Sequence, residues 1–312
     1  MSGIRPPLRP EPAARGLASA DPRDVTEMVT AAWGGAVRLS ETLDLDAPSR
    51  LPDWTIRDVL VHLGDWSEHP RFQRLLDDAR HARVQEAEDV DARNALVVAA
   101  HQDAGHADVA AALNRARDRA LAFLAAPDID RIGRELTDSP VGPLPVTCVI
   151  AASAYELAVH ALDVAPAGQV PDELLHAGVG ALVDTTGALA ARSGVRATFA
   201  VVTPLGGWVC GSEPESWTTM RLEQELQVGE LGWPSLQGEA ADVIDASAGR
   251  RSAIPLVLAR RLRLYDIAGL MTLMPALESV PGLPGGVALR AAARTLGRTG
   301  QLIGRLSATV RR

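Results

Sequence analysis

Residues 153–163 read SAYELAVHALD and lie inside one of the most apolar runs of the chain. Val149, Ser153, Glu156, His160 and Asp163 follow alternating steps of four and three, so they share one face of a helix that starts near Pro145. Ile150, Leu157 and Val164 lie directly beside them, which turns that face inward. An unpaired carboxylate buried in apolar surroundings is costly enough that it protonates or finds a partner. The stretch therefore predicts a core helix and demands something for Glu156 and His160 to face.

A second inward-facing polar group lies upstream, in LPDWTIRDVLVHLGDW (residues 51–66). Thr55 and Asp58 are spaced as a capping box, and the acidic residue suits the positive end of the helix dipole. The inward stripe of this helix contains Val59, His62 and Trp66. Glu156 and His160 project from one face a turn apart and can grip a single ion, with His62 from a packed neighbour as third ligand. Two imidazoles and one carboxylate suit zinc and leave a coordination position open. Fe(II), Ni(II) and Co(II) suit the same set.

The rest of the chain reads around this pair. Residues 1–20, rich in Pro, Arg and Ala, read as a flexible arm. A first helix follows from Asp21 and Pro22, and a third helical region, Asp91 to Ala126, is expected to break near Gly105. The composition of APAGQVPDE marks a boundary at about 165–171. Beyond it one helix (about 172–193) precedes alternating segments, VRATFAVV, the stretch around Trp208 and Cys210, and Thr218–Val228, the pattern of half-buried antiparallel strands. The tail from Pro284 to Arg312 sets Leu289, Leu296, Ile303 and Val310 against Arg290, Arg294, Arg298 and Arg305. Such a helix fits weak contact with an anionic membrane or a protein, or packing across the rest of the chain.

Composition bounds the function. A hydrophobic fraction of 47% with 22% charged residues belongs to a globular chain, and 312 residues make two domains the leading expectation. A net charge of −8 argues against nucleic acid as a partner, since phosphate contacts need a basic face. No uninterrupted apolar run approaches the roughly 20 residues that span a bilayer, so no transmembrane segment is expected. Two cysteines, Cys148 and Cys210, are too few for a disulfide framework, and with no signal peptide this predicts a cytoplasmic protein. Both cysteines read as small buried hydrophobes rather than nucleophiles.

The two motifs also carry a resemblance. LPDWTIRDVLVHLGDW is similar to the W-T-V-R-D-L-x-x-H-L signature of the mycothiol-dependent maleylpyruvate isomerase N-terminal domain, and AYELAVHALDVAPAG resembles its E-x-x-x-H-x-x-D-x-A-x-A-x-G segment. The resemblance implies an α+β protein with a DinB-like four-helix metal-binding bundle over 21–168 and a smaller sterol-carrier-like α/β domain over 169–275; the amphipathic basic helical tail, over 276–312, departs from the family pattern. It implies His62, Glu156 and His160 as ligands of a divalent metal, zinc foremost. It implies mycothiol as the thiol cosubstrate, activated as a metal-bound thiolate, and an electrophilic small molecule as the second partner. In such a family the thiol adds to an alkene, allows rotation and leaves, or stays on as a conjugate.

LQGEAADVIDASAGRR is similar to the family segment whose arginine meets an acidic substrate, which makes Arg250 a catalytic candidate beside the adjacent Arg251. A surface arginine at a helix end is the other reading of Arg250. Asp163 either orients a ligand histidine or the incoming thiol, or is a helix-end carboxylate facing solvent. Three rival functions fit the same pattern: a metal-binding protein without catalysis, a carrier of an apolar ligand, and a specialised-metabolism enzyme that reuses the metal site. Trp54 and Trp66 either wall the site or belong to the core, and His101 and His106 read as exposed.

Overall fold

Asp21 caps the first helix by accepting the N–H of Arg23 at 2.9 Å, and Pro22 occupies a position where its missing donor costs nothing. This helix, α1 (Pro22–Ser40), is followed by α2 (Ile56–Leu63), α3 (Val90–Ala100), α4 (His106–Leu124), α5 (Val146–Val164) and α6 (Asp172–Arg192). The computed structural model describes residues 6–67, 75, 77, 80, 81, 90–222 and 232–278. The tail, including Pro284–Arg312, and the second half of the expected strand up to Val228 lie outside the described residues.

The architecture is mixed helix and sheet. Helix α1 packs on α4, α5 and α6, while α2 packs on α3, α4 and α5. Gly105 separates α3 from α4 where the sequence predicts the break, and Asp108 caps the second helix through the Gly105 N–H at 3.0 Å. Helix α6 lies between α5 and the sheet. Gly178 allows the close approach to α5: a Cβ there would stand 2.5 Å from that of Ala158.

The sheet is built from β1 (Ala197–Thr203), β2 (Gly206–Glu213), β3 (Ser216–Leu222), β4 (Ser235–Gly238) and β5 (Leu262–Tyr265), in the order β3-β2-β1-β4-β5. Only the β1/β4 pairing is parallel, with Val201 opposite Leu236. Two short helices, α7 (Ala240–Ser247) and α8 (Ala253–Leu258), connect β4 to β5. Helix α7 packs on α5 and α6.

Two expectations need correction. The alternation in β1 and β2 predicts strands with one wet face, yet both are buried almost throughout. One face meets α6; the other is covered by Leu8, Trp233 and Tyr265, packed on Ala200, Val202 and Val209. Residues 6–20, expected as a free arm, supply part of that cover. Their backbone joins β3 through the Trp217 N–H, which donates to the Ala14 carbonyl at 3.2 Å, and Leu17 is buried. Helices α5 and α6 are each long and apolar enough to cross a bilayer by length and composition alone, although polar residues interrupt both sequences. Most of both helices is buried inside the protein, which accounts for their apolarity.

Candidate metal centre

The capping box at the start of α2 is formed in both directions. The Asp58 N–H donates to Thr55 Oγ1 at 3.2 Å, and the Thr55 N–H donates to Asp58 Oδ2 at 2.8 Å. That start fixes the helical phase and turns His62 toward α5, where it is 9% exposed. Across the interface stand Glu156 and His160, one helical turn apart. One ligand atom from each of the three residues lies within 4.8 Å of the others.

His62 Nε2 and Glu156 Oε1 are 3.3 Å apart, and the two imidazole rings meet edge to face at 5.2 Å between centroids. Donors bonded to one tetrahedral zinc at 2.0–2.1 Å would be separated by roughly 3.3 Å. This pair thus already stands at a ligand–ligand spacing, and the donor chemistry fits zinc. Glu156 is the wet member of the set, with 36% of its side chain exposed.

His160 is held from behind. Its Nδ1 lies 3.1 Å from Asp163 Oδ2, a hydrogen bond that places the proton on Nδ1 and leaves Nε2 with its lone pair for the triad. Asp163 is itself gripped by Arg250, whose Nε and Nη2 donate to Oδ1 and Oδ2 at 2.9 and 2.8 Å. Burial pushes the Asp163 carboxyl up, but the hydrogen bonds and charges of His160 and Arg250 outweigh it and hold the group below its ordinary range. The same bond to Asp163 raises Arg250 further, so both stay charged.

The sequence candidates therefore converge. His62, Glu156 and His160 form the triad, Asp163 touches a triad histidine, and Arg250 touches Asp163. Arg251 turns elsewhere, to Asp242 at 2.9 Å. The Trp54 ring stands edge to face with His62, 5.7 Å between centroids. It also lines an open groove of about 490 Å³ with Asp58, Asn94, Val98 and Gln102. Trp66 is core, its Nε1 donating to the Val61 carbonyl at 2.8 Å.

His101, read from sequence as exposed, stacks on Trp66 at 3.8 Å; the break at Gly105 returns the chain toward α2 and folds this ring inward. His106 is exposed as expected. Neither cysteine offers an accessible thiolate, because burial pushes both thiols above their ordinary range. Sequence reasoning missed Arg50 and Asp245, which hold the end of α5, and Tyr155, which meets Ser247 of α7 from the middle of that helix. No periodicity marks them, because their partners lie far away in the chain.

Two helices that turn two imidazoles and a carboxylate toward one point define a class: helical proteins with a built donor set for a divalent cation. Residues 12–165 match the family model described as the mycothiol maleylpyruvate isomerase N-terminal domain, and this part of the chain belongs to that family. The chain is also similar to a crystal structure of the mycothiol-dependent maleylpyruvate isomerase, at 13% identity and a TM-score of 0.47, covering 76% of this chain and 92% of that one. A mutant of such an isomerase gives 13% identity and a TM-score of 0.45, over 76% and 93% of the two chains. No curated protein sequence matches.

Proposed function

We propose that this protein is a divalent-metal-dependent enzyme that activates mycothiol for attack on an electrophilic small molecule, by cis–trans isomerisation of a maleylpyruvate-type substrate or by thiol transfer. The observation that supports this most is the His62–Glu156–His160 triad, built across two helices inside a domain of the mycothiol family. A divalent cation there stabilises thiolate over thiol and so supplies a nucleophile near neutral pH.

The protein's own groups do the remainder. His62, Glu156 and His160 hold the cation; Asp163 fixes the tautomer and ring orientation of His160; Arg250 keeps Asp163 ionised and aimed. The exposed side of Glu156 is the side from which thiol and substrate approach. Since Cys148 and Cys210 are buried, the sulfur comes from a cosubstrate. In the isomerase outcome the sulfur adds to one alkene carbon, the former double bond rotates, and the sulfur leaves; in the transferase outcome it remains. We read α1, α2, α4 and α5 as a four-helix bundle of the DinB-like type within residues 21–168, and the unit over 169–275 as the part that brings Arg250 to it.

Metal analysis and turnover together test this. Purified protein is expected to hold about one zinc per chain and to turn over maleylpyruvate only when mycothiol is present. Cobalt-substituted protein is expected to develop a sulfur-to-cobalt charge-transfer band on adding mycothiol. Stoichiometric metal with no spectral response to the thiol would overturn the reading.

A further inference from the structure

The C-terminal end of α5 is held by two arginine–carboxylate pairs that cross between the helices and the sheet half. From the loop ahead of α2, Arg50 reaches α7, with Nη1 3.0 Å from Asp245 Oδ1 and Nη2 3.3 Å from Oδ2. From the turn after α7, Arg250 reaches back and grips Asp163 through Nε and Nη2. Backbone bonds stitch the two pairs together. The Arg50 N–H donates to the Asp163 carbonyl at 2.8 Å, and the Arg250 N–H donates to the Asp245 carbonyl at 2.8 Å. Arg50 Nη1 also meets the Leu162 carbonyl at 3.0 Å, where a cation suits the helix end. Nearer the triad, the Tyr155 hydroxyl and Ser247 Oγ lie 2.9 Å apart.

Both carboxylates are withdrawn from solvent, Asp163 with 0% and Asp245 with 8% of the side chain exposed. A buried carboxylate gripped by a guanidinium fork is a strong and directional arrangement. Removing one partner strands a charge. Arg250 commits Nε and Nη2, one edge of its guanidinium fork, to Asp163, and Asp163 in turn touches His160. An arginine reserved for an anionic substrate would instead present its fork to the open side of the site.

We infer that Asp163 and Arg250 are positioning residues for the ligand His160, and that the Arg50–Asp245 pair locks the α7 segment that presents Arg250. On this account the sheet half sets the metal affinity of a site whose ligands all lie in the helical half. The inference rests on the metal reading above. It departs from the expectation that Arg250 contacts the substrate.

The test uses metal-free full-length chain at one fixed pH, titrated with Zn²⁺ against a chromophoric chelator, with helix content followed by circular dichroism. Asp163→Asn and Arg250→Met are each expected to weaken zinc binding by about 10–100-fold, the range typical of lost partners behind a metal ligand. The double variant is expected to bind no more weakly than the weaker single one. It also keeps the test valid if a single variant fails to fold, because it removes both charges together. Arg50→Met is expected to show a smaller loss in the same direction. In ¹⁵N spectra of metal-free protein, Asp163→Asn is expected to lower the share of the Nδ1-protonated tautomer of His160. An Arg250→Met protein that binds zinc like wild type, with only KM for the substrate raised, would overturn the inference and leave the metal reading standing. A wild-type chain that takes up no zinc would overturn the metal reading itself, and the inference with it.

Discussion

Glu156 is the half-exposed donor of the triad, and this separates its metal role from any contribution to folding. Glu156→Gln keeps the size and removes the charge; zinc affinity is expected to drop at least about tenfold, while the urea midpoint of the metal-free protein stays near that of wild type. Equal losses in both would show the residue to be structural. His176, on α6, is the opposite case: it is 9% exposed, and neither ring nitrogen has a hydrogen-bond partner among the described residues. Burial, aided by the nearby Arg221 charge, pulls it down to about 4 from its ordinary 6.5. The unfolded chain takes up this proton near pH 6.5, whereas the folded chain does not until about 4. Stability is therefore lost as pH falls through that window, with a limiting slope of about 1.4 kcal/mol per pH unit. The stability difference between wild type and His176→Gln, measured in urea, is expected to shrink from pH 7 toward 5; a flat difference contradicts the assignment. At this scale the triad was legible because three ligand-type residues fall on apolar stripes. Arg50 and Asp245 were not, since 195 positions separate them and each alone looks like an ordinary surface charge.

Helix α2 shows how much a local signal carries. The spacing of Thr55 and Asp58 predicts the cap, the cap fixes the start, and the start turns His62 inward. Thr55→Ala is expected to destabilise the protein by about 1 kcal/mol, read as a lower urea midpoint with an unchanged m-value; a midpoint shift of zero would mean that packing alone sets this helix. The strands were read less well, for a physical reason. Alternation distinguishes polar from apolar, not exposed from buried, and the polar positions here are small hydroxyls that find partners indoors. Thr198 Oγ1 donates to the Leu8 carbonyl at 3.3 Å, Ser212 Oγ to the Val195 carbonyl at 2.9 Å, and Thr219 Oγ1 to Asp184 at 2.7 Å. A face that looks wet in sequence is dry once another segment supplies acceptors.

Across the whole molecule, one contiguous set of buried side chains runs from Leu17 through α1, α5 and α6 to Ala276. Asp184 stands where helices, sheet and N-terminal segment meet. Its Oδ1 accepts from the Leu17 N–H at 3.0 Å, Trp217 Nε1 at 2.9 Å and Thr219 Oγ1 at 2.7 Å. Gly16 permits this convergence by adopting φ +55°, because a Cβ there would fall 2.0 Å from that same oxygen. Asp184→Ala leaves three buried donors without their acceptor and is expected to cost about 3 kcal/mol or more, seen as a lower urea midpoint. A shift under about 1 kcal/mol would mean that water replaces the carboxylate.

The packed N-terminal segment carries a practical consequence for anyone who shortens the chain. Asp21, where the helical pattern begins, looks like a natural place to cut. A protein trimmed there would lose Leu8 from the outer side of β1 and β2 and the Leu17 amide from Asp184. It would leave that apolar face with only part of its cover, Trp233 and Tyr265 remaining, and so expose a surface of the kind that drives aggregation. Insolubility of such a fragment would reflect the missing cover rather than an intrinsically unstable helical core, and an affinity tag joined ahead of Pro6 avoids the problem.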